Sequence, residues 1–312
     1  MRLSVLIATY NQEKYIEQAI RSAMAQRTTF DFEIVVADDC STDRTPEIIR
    51  SLVAESPDRF RVLFNKKNLG IHLNYRYAWS QCRGQFVAGL EGDDYWTSLD
   101  KLQRQVDFLE VHPECIMCFH NVVVFEEEEV ANLAGGGESL FCPPDLPEIC
   151  GVEELLQDMF INSSSVVCRN GMFKEFPTWL LDLAVGDWPF FLWACSFGKL
   201  GYLPDVMSVY RKHSDGLWNR TPPEERIRTI TKMYERVNEH FEHRYDAIIR
   251  MLIRRWTAYF WCDAERTRWK KAAINARQQV EELRRKNREL RNATAAPSPV
   301  GDETGDRMKA DA

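Results

Sequence analysis

The sequence predicts an α/β fold, a mostly parallel central sheet flanked by helices, with a C-terminal helical extension. Three observations carry this expectation. Short β-branched and apolar runs alternate with stretches whose apolar residues recur at three-and-four spacing. The first apolar runs each end in polar or acidic residues. After Pro222-Pro223 the alternation gives way to a long, charged helical pattern.

Leu3 to Ala8 reads as the first strand, broken by Thr9-Tyr10-Asn11. Tyr15, Ile16, Ala19, Ile20 and Ala23 then keep helical period. Glu33 to Ala37 is the second strand and ends in Asp38-Asp39-Cys40-Ser41-Thr42-Asp43. Asp43 or Thr45 opens a helix, with Pro46 in the first turn, where a missing N–H costs nothing. Arg61 to Phe64 is a third strand and Asn65 to Gly70 a turn; a helix from about Ile71 to Gln81 leads to the strand Gln85 to Gly89. That strand runs into Leu90-Glu91-Gly92-Asp93-Asp94-Tyr95-Trp96. Neighbouring carboxylates repel, so a cation is expected among them, and a hard divalent ion held by one or two carboxylates with phosphate oxygens fits. The simpler reading is a polar turn with Gly at the bend.

In open parallel sheets ligands lie outside the carboxyl ends of the strands. Here those ends carry Tyr10-Asn11, Asp38-Asp39, Asn68 and Glu91-Asp93-Asp94, so four polar tips converge on one edge. A G-x-G-x-x-G turn after the first strand and a P-loop are both missing, which excludes the usual nicotinamide and P-loop nucleotide folds.

Further on, Lys101 to Val111 is helical and stops before Pro113. Ile116 to Phe125 reads as a strand and Glu126 to Cys150 as loop, with Gly135-Gly136-Gly137 a surface turn. Val152 to Met159 is helical, Ser163 to Cys168 a strand, and Leu183 to Pro189 enters a helix rich in Phe and Trp. Met207 to His213 is a strand ending in histidine. Trp256, Tyr259, Phe260 and Trp261 are expected to pack on the main domain; interleaved with Arg250, Arg254 and Arg255, they also suit an anionic bilayer. His240 and His243 read as an exposed, charged face. Gln278 to Leu290 carries coiled-coil-like spacing, and 292–312 has the composition of a disordered tail.

The chain has 312 residues and a formal charge of −7, which argues against nucleic acid as partner. No apolar run approaches the about 20 residues that span a bilayer, and Met1 to Ala8 reads as a strand, not a signal peptide. Nine scattered cysteines, including Cys115-Ile116-Met117-Cys118, read as buried reduced thiols and hence a cytoplasmic protein. The glycosylation-type sequences at Asn162 and Asn292 then carry no meaning.

Taken together, several motifs resemble those of the family 2 glycosyltransferases. Ser4 to Asn11 is similar to the family's opening strand and Val36 to Thr45 to its second signature. Asn68-Leu69-Gly70 with Asn74 is similar to the third, and Leu90 to Trp96 to the DxD-type metal motif. Gly186-Asp187-Trp188 and Tyr210-Arg211-Lys212-His213 resemble later elements of a bacterial subgroup, so the likeness runs over about 1–218. It implies a GT-A fold, Rossmann-like, over 1–218, with a helical extension over 219–291 and a tail over 292–312. It also implies inverting transfer of a sugar from a nucleotide-sugar donor, UDP-linked in preference to dTDP- or GDP-linked, to a glycan or lipid-linked acceptor. The expected setting is bacterial surface polysaccharide or glycolipid assembly, in the cytoplasm or at the inner face of the membrane. Self-association or membrane contact through the C-terminal helices fits the same picture.

By that resemblance Tyr10 borders the nucleotide base and Asp39 accepts from its ring N–H, with Asn11 and Asn68 as further nucleotide-binding positions. Asp93 meets the ribose or a divalent metal, Mg²⁺ or Mn²⁺; Asp94 ligates the metal; His213 binds metal or diphosphate; Asp187 is the general base. Two departures stand out. Glu91 replaces the more usual Asp of the DxD position, and Gly186 replaces the acidic residue that usually precedes the base. Asp187 also suits a helix N-cap, and His213 a solvated strand end. Two other classes remain: an inactive nucleotide-sugar-binding or scaffold protein, against which the intact acidic residues speak, and a nucleotidyltransferase. The latter would carry a basic, glycine-rich loop after the first strand, which Thr9 to Glu13 does not resemble.

Overall fold

Alternating apolar runs become strands, the first, second and fourth buried on both faces and the third half-buried at the sheet edge, and the sheet they form places the polar tips. A computed structural model describes residues 1–127, 139–171, 176–213, 221–262 and 285. The triple glycine at 135–137, the segment around Trp218, the coiled-coil-like spacing (Arg285 excepted) and the 292–312 tail lie outside the described residues. Four strands, β1 (Leu3–Thr9), β2 (Phe32–Asp38), β3 (Phe60–Phe64) and β4 (Phe86–Glu91), stand in the order β3-β2-β1-β4, all parallel. Helices α1 (Ile16–Met24), α2 (Thr45–Glu55) and α3 (Ile71–Ser80) make the crossovers. Ile16, Ala19, Ile20 and Ala23 form the buried stripe of α1, as their spacing predicts.

Past β4 the sheet stops being parallel. β9 (Val167–Arg169) pairs antiparallel with β4 and with β6 (Cys115–Glu126). β10 (Lys199–Lys212) then lies parallel to β6 and antiparallel to the two-residue β5 (Tyr95–Trp96). Short strands β7 (Ser139–Leu140) and β8 (Ile149–Cys150) pair with β6 and β10. The run expected as one strand from Ser163 is a 3-10 turn over Ser163–Ser165 followed by β9. Asn162 accepts the Ser164 N–H at 2.9 Å and caps that turn, a local bond that competes with strand pairing. β10 is twice the expected length; its first half, Lys199 to Val206, lacks a clear apolar alternation and so carries no strand signal in the sequence.

Helices cover both faces. Leu3, Val5 and Ile7 of β1 pack with α1, α2 and α4 (Lys101–Val111). Leu6 packs on the other side, toward α3, α5 (Val152–Gln157), α6 (Thr178–Leu181), α7 (Asp187–Ala194) and α8 (Pro223–His240). A further helix, α9, runs over 246–262. Its Ile249, Leu252 and Phe260 are buried in the same core as Trp188 and Tyr234, so residues 223–261 belong to one unit with the sheet. The aromatic cluster divides: Trp256 packs at 5.8 Å from Trp188 and Phe260 is buried, while Tyr259 and Trp261 are exposed. His240 ends α8, and His243 sits in the turn beyond it with φ 60°, so the two share no helix face. All nine cysteines are free, and burial pushes the Cys115 and Cys118 thiols up to about 11 and about 12.

Candidate active site

The parallel strands end side by side, and their tips are knitted by side-chain bonds. Asn11 follows β1 with φ 52°, and Cys40 follows β2 with φ 65°. Both are left-handed, and Asn is among the residues that tolerate this best. The Asn11 side-chain carbonyl accepts the Thr42 N–H at 2.8 Å, and its own N–H donates to Ser41 Oγ at 2.9 Å. Asn11 therefore clamps two tips together, while Tyr10 beside it is 46% exposed.

Asp39 is buried, and its carboxylate holds the turn after β3. It accepts from Asn65 Nδ2, Leu69 N–H and Gly70 N–H, each at 2.8 Å. A carboxylate offers about four acceptor positions, so one remains for a ligand. Asn68 donates to the Asp39 carbonyl at 3.2 Å and accepts from Gly70 N–H at 3.0 Å. Gly70 takes φ 81° at the start of α3, a conformation that favours glycine. The loop that the resemblance gives to the nucleotide is thus fixed by its own candidate ligands.

The acidic turn after β4 is held from two sides. Gly92 must be small, because a Cβ there would meet Gln12 Oε1 at 2.3 Å and Thr9 Oγ1 at 2.8 Å. Gly92→Ala is expected to push Gln12 out and shift the turn. A melting temperature lower by several degrees, from about 1–3 kcal/mol of overpacking, would check this. On the other side stands β10. The Arg211 N–H donates to Asp94 Oδ1 at 3.0 Å, and its guanidinium donates to the Asp93 carbonyl at 2.6 Å. The same guanidinium lies 4.4 Å from the Tyr95 ring and 5.3 Å from the Tyr15 ring.

Asp93 and Asp94 differ in what they face. Asp93 Oδ2 lies 3.1 Å from His213 Nε2, and the His213 ring packs 5.0 Å from Tyr15. Asp94 is fully buried, and its second oxygen has no hydrogen-bond partner. Burial, then Asp93 and Glu91, raises its carboxyl well above the usual range. Burial, then Asp93 and Asp187, pushes Glu91 up to about 8. Asp187 opens α7 with Oδ1 accepting the Trp188 N–H at 2.8 Å, in the first turn where a carboxylate is favoured. Its side chain is reached by solvent, yet the protein around it raises its pKa. Tyr210 is raised by burial and then by Glu91, Asp94, Asp93 and Asp187, so all four carboxylates share its neighbourhood.

The structure therefore brings Glu91, Asp93, Asp94, Asp187 and His213 to one place, and Tyr10, Asn11, Asp39 and Asn68 to the neighbouring strand tips. Among the described residues no three His, Cys, Asp or Glu side chains are arranged to hold a metal by themselves. The donor set still suits Mg²⁺ or Mn²⁺, which take one or two carboxylates and fill their shell with water and phosphate. The orphaned Asp94 oxygen and the raised carboxyls show a site short of positive charge. Sequence reasoning missed Arg211 as the clamp of the acidic turn. Its signal was its place two residues before His213, near the end of β10.

Comparison with known proteins shows the family and the fold. The family described as Glycosyl transferase family 2 matches residues 4–164, and the chain belongs to it. An uncharacterized protein of Mycobacterium tuberculosis, Rv1520, is 38% identical over 218 residues, 70% of this chain and 60% of that protein. The chain thus spans less than two thirds of that relative. Poly(ribitol-phosphate) beta-N-acetylglucosaminyltransferase TarS of Staphylococcus aureus is 30% identical over 183 residues, 56% of this chain and 29% of TarS. The structure of TarS 1-349 in complex with UDP superposes with TM-score 0.56 and 22% identity, covering 75% of this chain and 64% of that one. A mannosyltransferase from Pyrobaculum calidifontis, in complex with GDP-Man and Mn²⁺, gives 0.57 and 16%, covering 90% and 80%. The fold is GT-A.

Proposed function

We propose that the chain is a metal-dependent, inverting glycosyltransferase that moves a sugar from a nucleotide-sugar to an acceptor hydroxyl. The observation that carries this is the set of four carboxylates around Tyr210, three from the turn after β4 and one from the start of α7, with Asp93 3.1 Å from His213. Such a cluster is stable in its ionised form only with a cation, and a nucleoside diphosphate supplies the oxygens that a cation with few protein ligands still needs.

Each residue has a role on this reading. Tyr10 borders the base, and the remaining acceptor position of Asp39 faces its ring N–H. Asn11 and Asn68 hold these two in place. Asp94 and His213 are the residues that would hold the metal, with Asp93, 3.1 Å from His213, meeting the ribose or the same metal and Arg211 fixing the turn. When bound, the metal neutralises charge that grows on the departing diphosphate. Asp187 takes the acceptor hydroxyl's proton on the oxygen not bonded to Trp188. One base, with no second carboxylate assigned as nucleophile, gives direct displacement and inversion.

The relatives favour a UDP-linked donor and a role in bacterial surface polysaccharide or glycolipid assembly: TarS is named for transfer to poly(ribitol-phosphate) and has been captured with UDP-GlcNAc. No helix among the described residues is long and apolar enough to cross a membrane. We place the chain in the cytoplasm, with the exposed Met251, Tyr259 and Trp261 of α9 available to the inner membrane face.

Thermal melting with UDP, GDP and dTDP, each with and without Mn²⁺, tests the reading. A ligand at a hundredfold over its dissociation constant adds about 2.7 kcal/mol. We expect UDP with Mn²⁺ to give the largest shift, and Asp94→Asn to remove its metal-dependent part. No shift with any nucleotide would overturn the assignment.

A further inference from the structure

Position 186, where the sequence departs from the family pattern, has no backbone reason to be glycine. Its φ of −110° and ψ of −39° lie in the right-handed region open to any residue. Its reason is space. A Cβ there would fall 2.5 Å from Nδ1 and 2.6 Å from Cε1 of His72, so the imidazole lies directly against the Gly186 backbone. His72 sits in the first turn of α3, two residues after Gly70, whose N–H is held by Asp39. The groups that act on its ring are the backbone of Leu183 and Ala184 and the carboxylate of Asp187.

We propose that His72 is the positioning residue of Asp187: its imidazole stands where a side chain at 186 would otherwise stand and fixes the carboxylate that receives the acceptor's proton. The inference rests on the transferase reading and deepens it. Asp187 begins a helix with one oxygen tied to the Trp188 N–H, which leaves its other oxygen to be set by what packs beside it. Burial lowers the His72 pKa, favouring the neutral ring, in which one nitrogen donates and the other accepts. With the donor turned to the carbonyls of Leu183 and Ala184, the acceptor nitrogen suits the carboxyl form that Asp187 reaches once the proton has moved. The first turn of α3 then serves both ends of the site: Asp39 holds its backbone, and His72 carries the reach to the base.

Histidine-selective NMR on the full chain tests this, with His72 identified among the six histidines by His72→Asn. Asp187→Asn is expected to lower the His72 titration midpoint, because it removes the carboxylate that favours imidazolium. Gly186→Ala, whose backbone angles need no glycine, is expected to displace the ring and move the same resonances. In turnover of UDP-GlcNAc, His72→Ala and Gly186→Ala should each lower kcat between about tenfold and a hundredfold, with the donor KM unchanged. The double variant should be no slower than the slower single one, since both remove the same contact. An unmoved His72 midpoint in Asp187→Asn overturns the proposal, and so does full kcat in His72→Ala. The NMR arm needs no substrate. A chain that turns over no nucleotide sugar yet shows the coupling would sink the transferase reading and uphold the pairing.

Discussion

Asp187→Asn is expected to cost about 10²–10⁴-fold in sugar transfer while leaving stabilisation by nucleotide and Mn²⁺ intact. The amide has nearly the same shape. It still offers an oxygen to the Trp188 N–H, so α7 keeps its first-turn bond. What it loses is the capacity to take a proton. Asp187 stands at the start of α7, away from the tips of β1 and β2 that knit Tyr10, Asn11 and Asp39, so donor binding is insulated from the change. Comparing single-turnover rates with melting shifts in the same variant separates the two effects. A variant that transfers at the native rate would remove Asp187 from the mechanism, and one that no longer responds to nucleotide would give it a binding role instead.

Glu91→Gln is expected to be increasingly more stable than the native chain as the pH rises from about 4.5 to about 8, in the presence of a chelator. Burial, Asp93 and Asp187 raise the folded-state pKa of Glu91 from 4.5 to about 8, while the unfolded chain keeps the ordinary value. Between those two values the folded state holds a proton that the unfolded state has released. Stability therefore falls with pH across that window and levels off above it. The limiting slope for one proton is about 1.4 kcal/mol per pH unit. The glutamine has no such proton to lose. The difference between the two melting curves, taken at pH 5, 6.5 and 8, cancels ionisable residues away from the acidic turn, Lys101 and His120 among them, and reads Glu91 together with the Asp94 carboxyl that it raises. A constant difference across that range would show that Glu91 keeps an ordinary pKa in the folded chain.

The two halves of the fold were unequally legible. From Leu3 to Gly89 the strands are short, mainly apolar runs and α1 keeps a clear stripe, so period alone locates β1 to β4 and their polar ends. Beyond Asp94 the pattern weakens. Tyr95–Trp96 is a strand of two residues with no period to read, and Ser163–Ser165 is turned by an Asn162 cap that propensity does not reveal. The pairing of β9 between β4 and β6 is set by contacts far apart in sequence, so the change from parallel to antiparallel has no local signal. The site followed the same division. Tyr10, Asn11, Asp39 and Asn68 were placed on one edge by strand spacing. Asp187 and His213 were named only through the family resemblance. The difference between Asp93, which meets His213, and Asp94, which is buried against Arg211, is set by contacts with a segment more than a hundred residues away and has no local signal in the turn. His72 gave no sequence signal, since its partner at 186 is the absence of a side chain.

The bond between Asp93 and His213 joins residues 120 apart in the chain. That separation has a consequence for how the protein comes into being. At roughly 5–20 residues per second, the ribosome completes Asp93 roughly 6–24 s before it reaches His213. Through that interval β1 to β4 and the helices that cross between them have been made, but the acidic turn has neither Arg211 to clamp it nor His213 to meet it. The acidic turn is thus completed late in synthesis, when β10 arrives to share the core with the sheet and brings Arg211 and His213 to it.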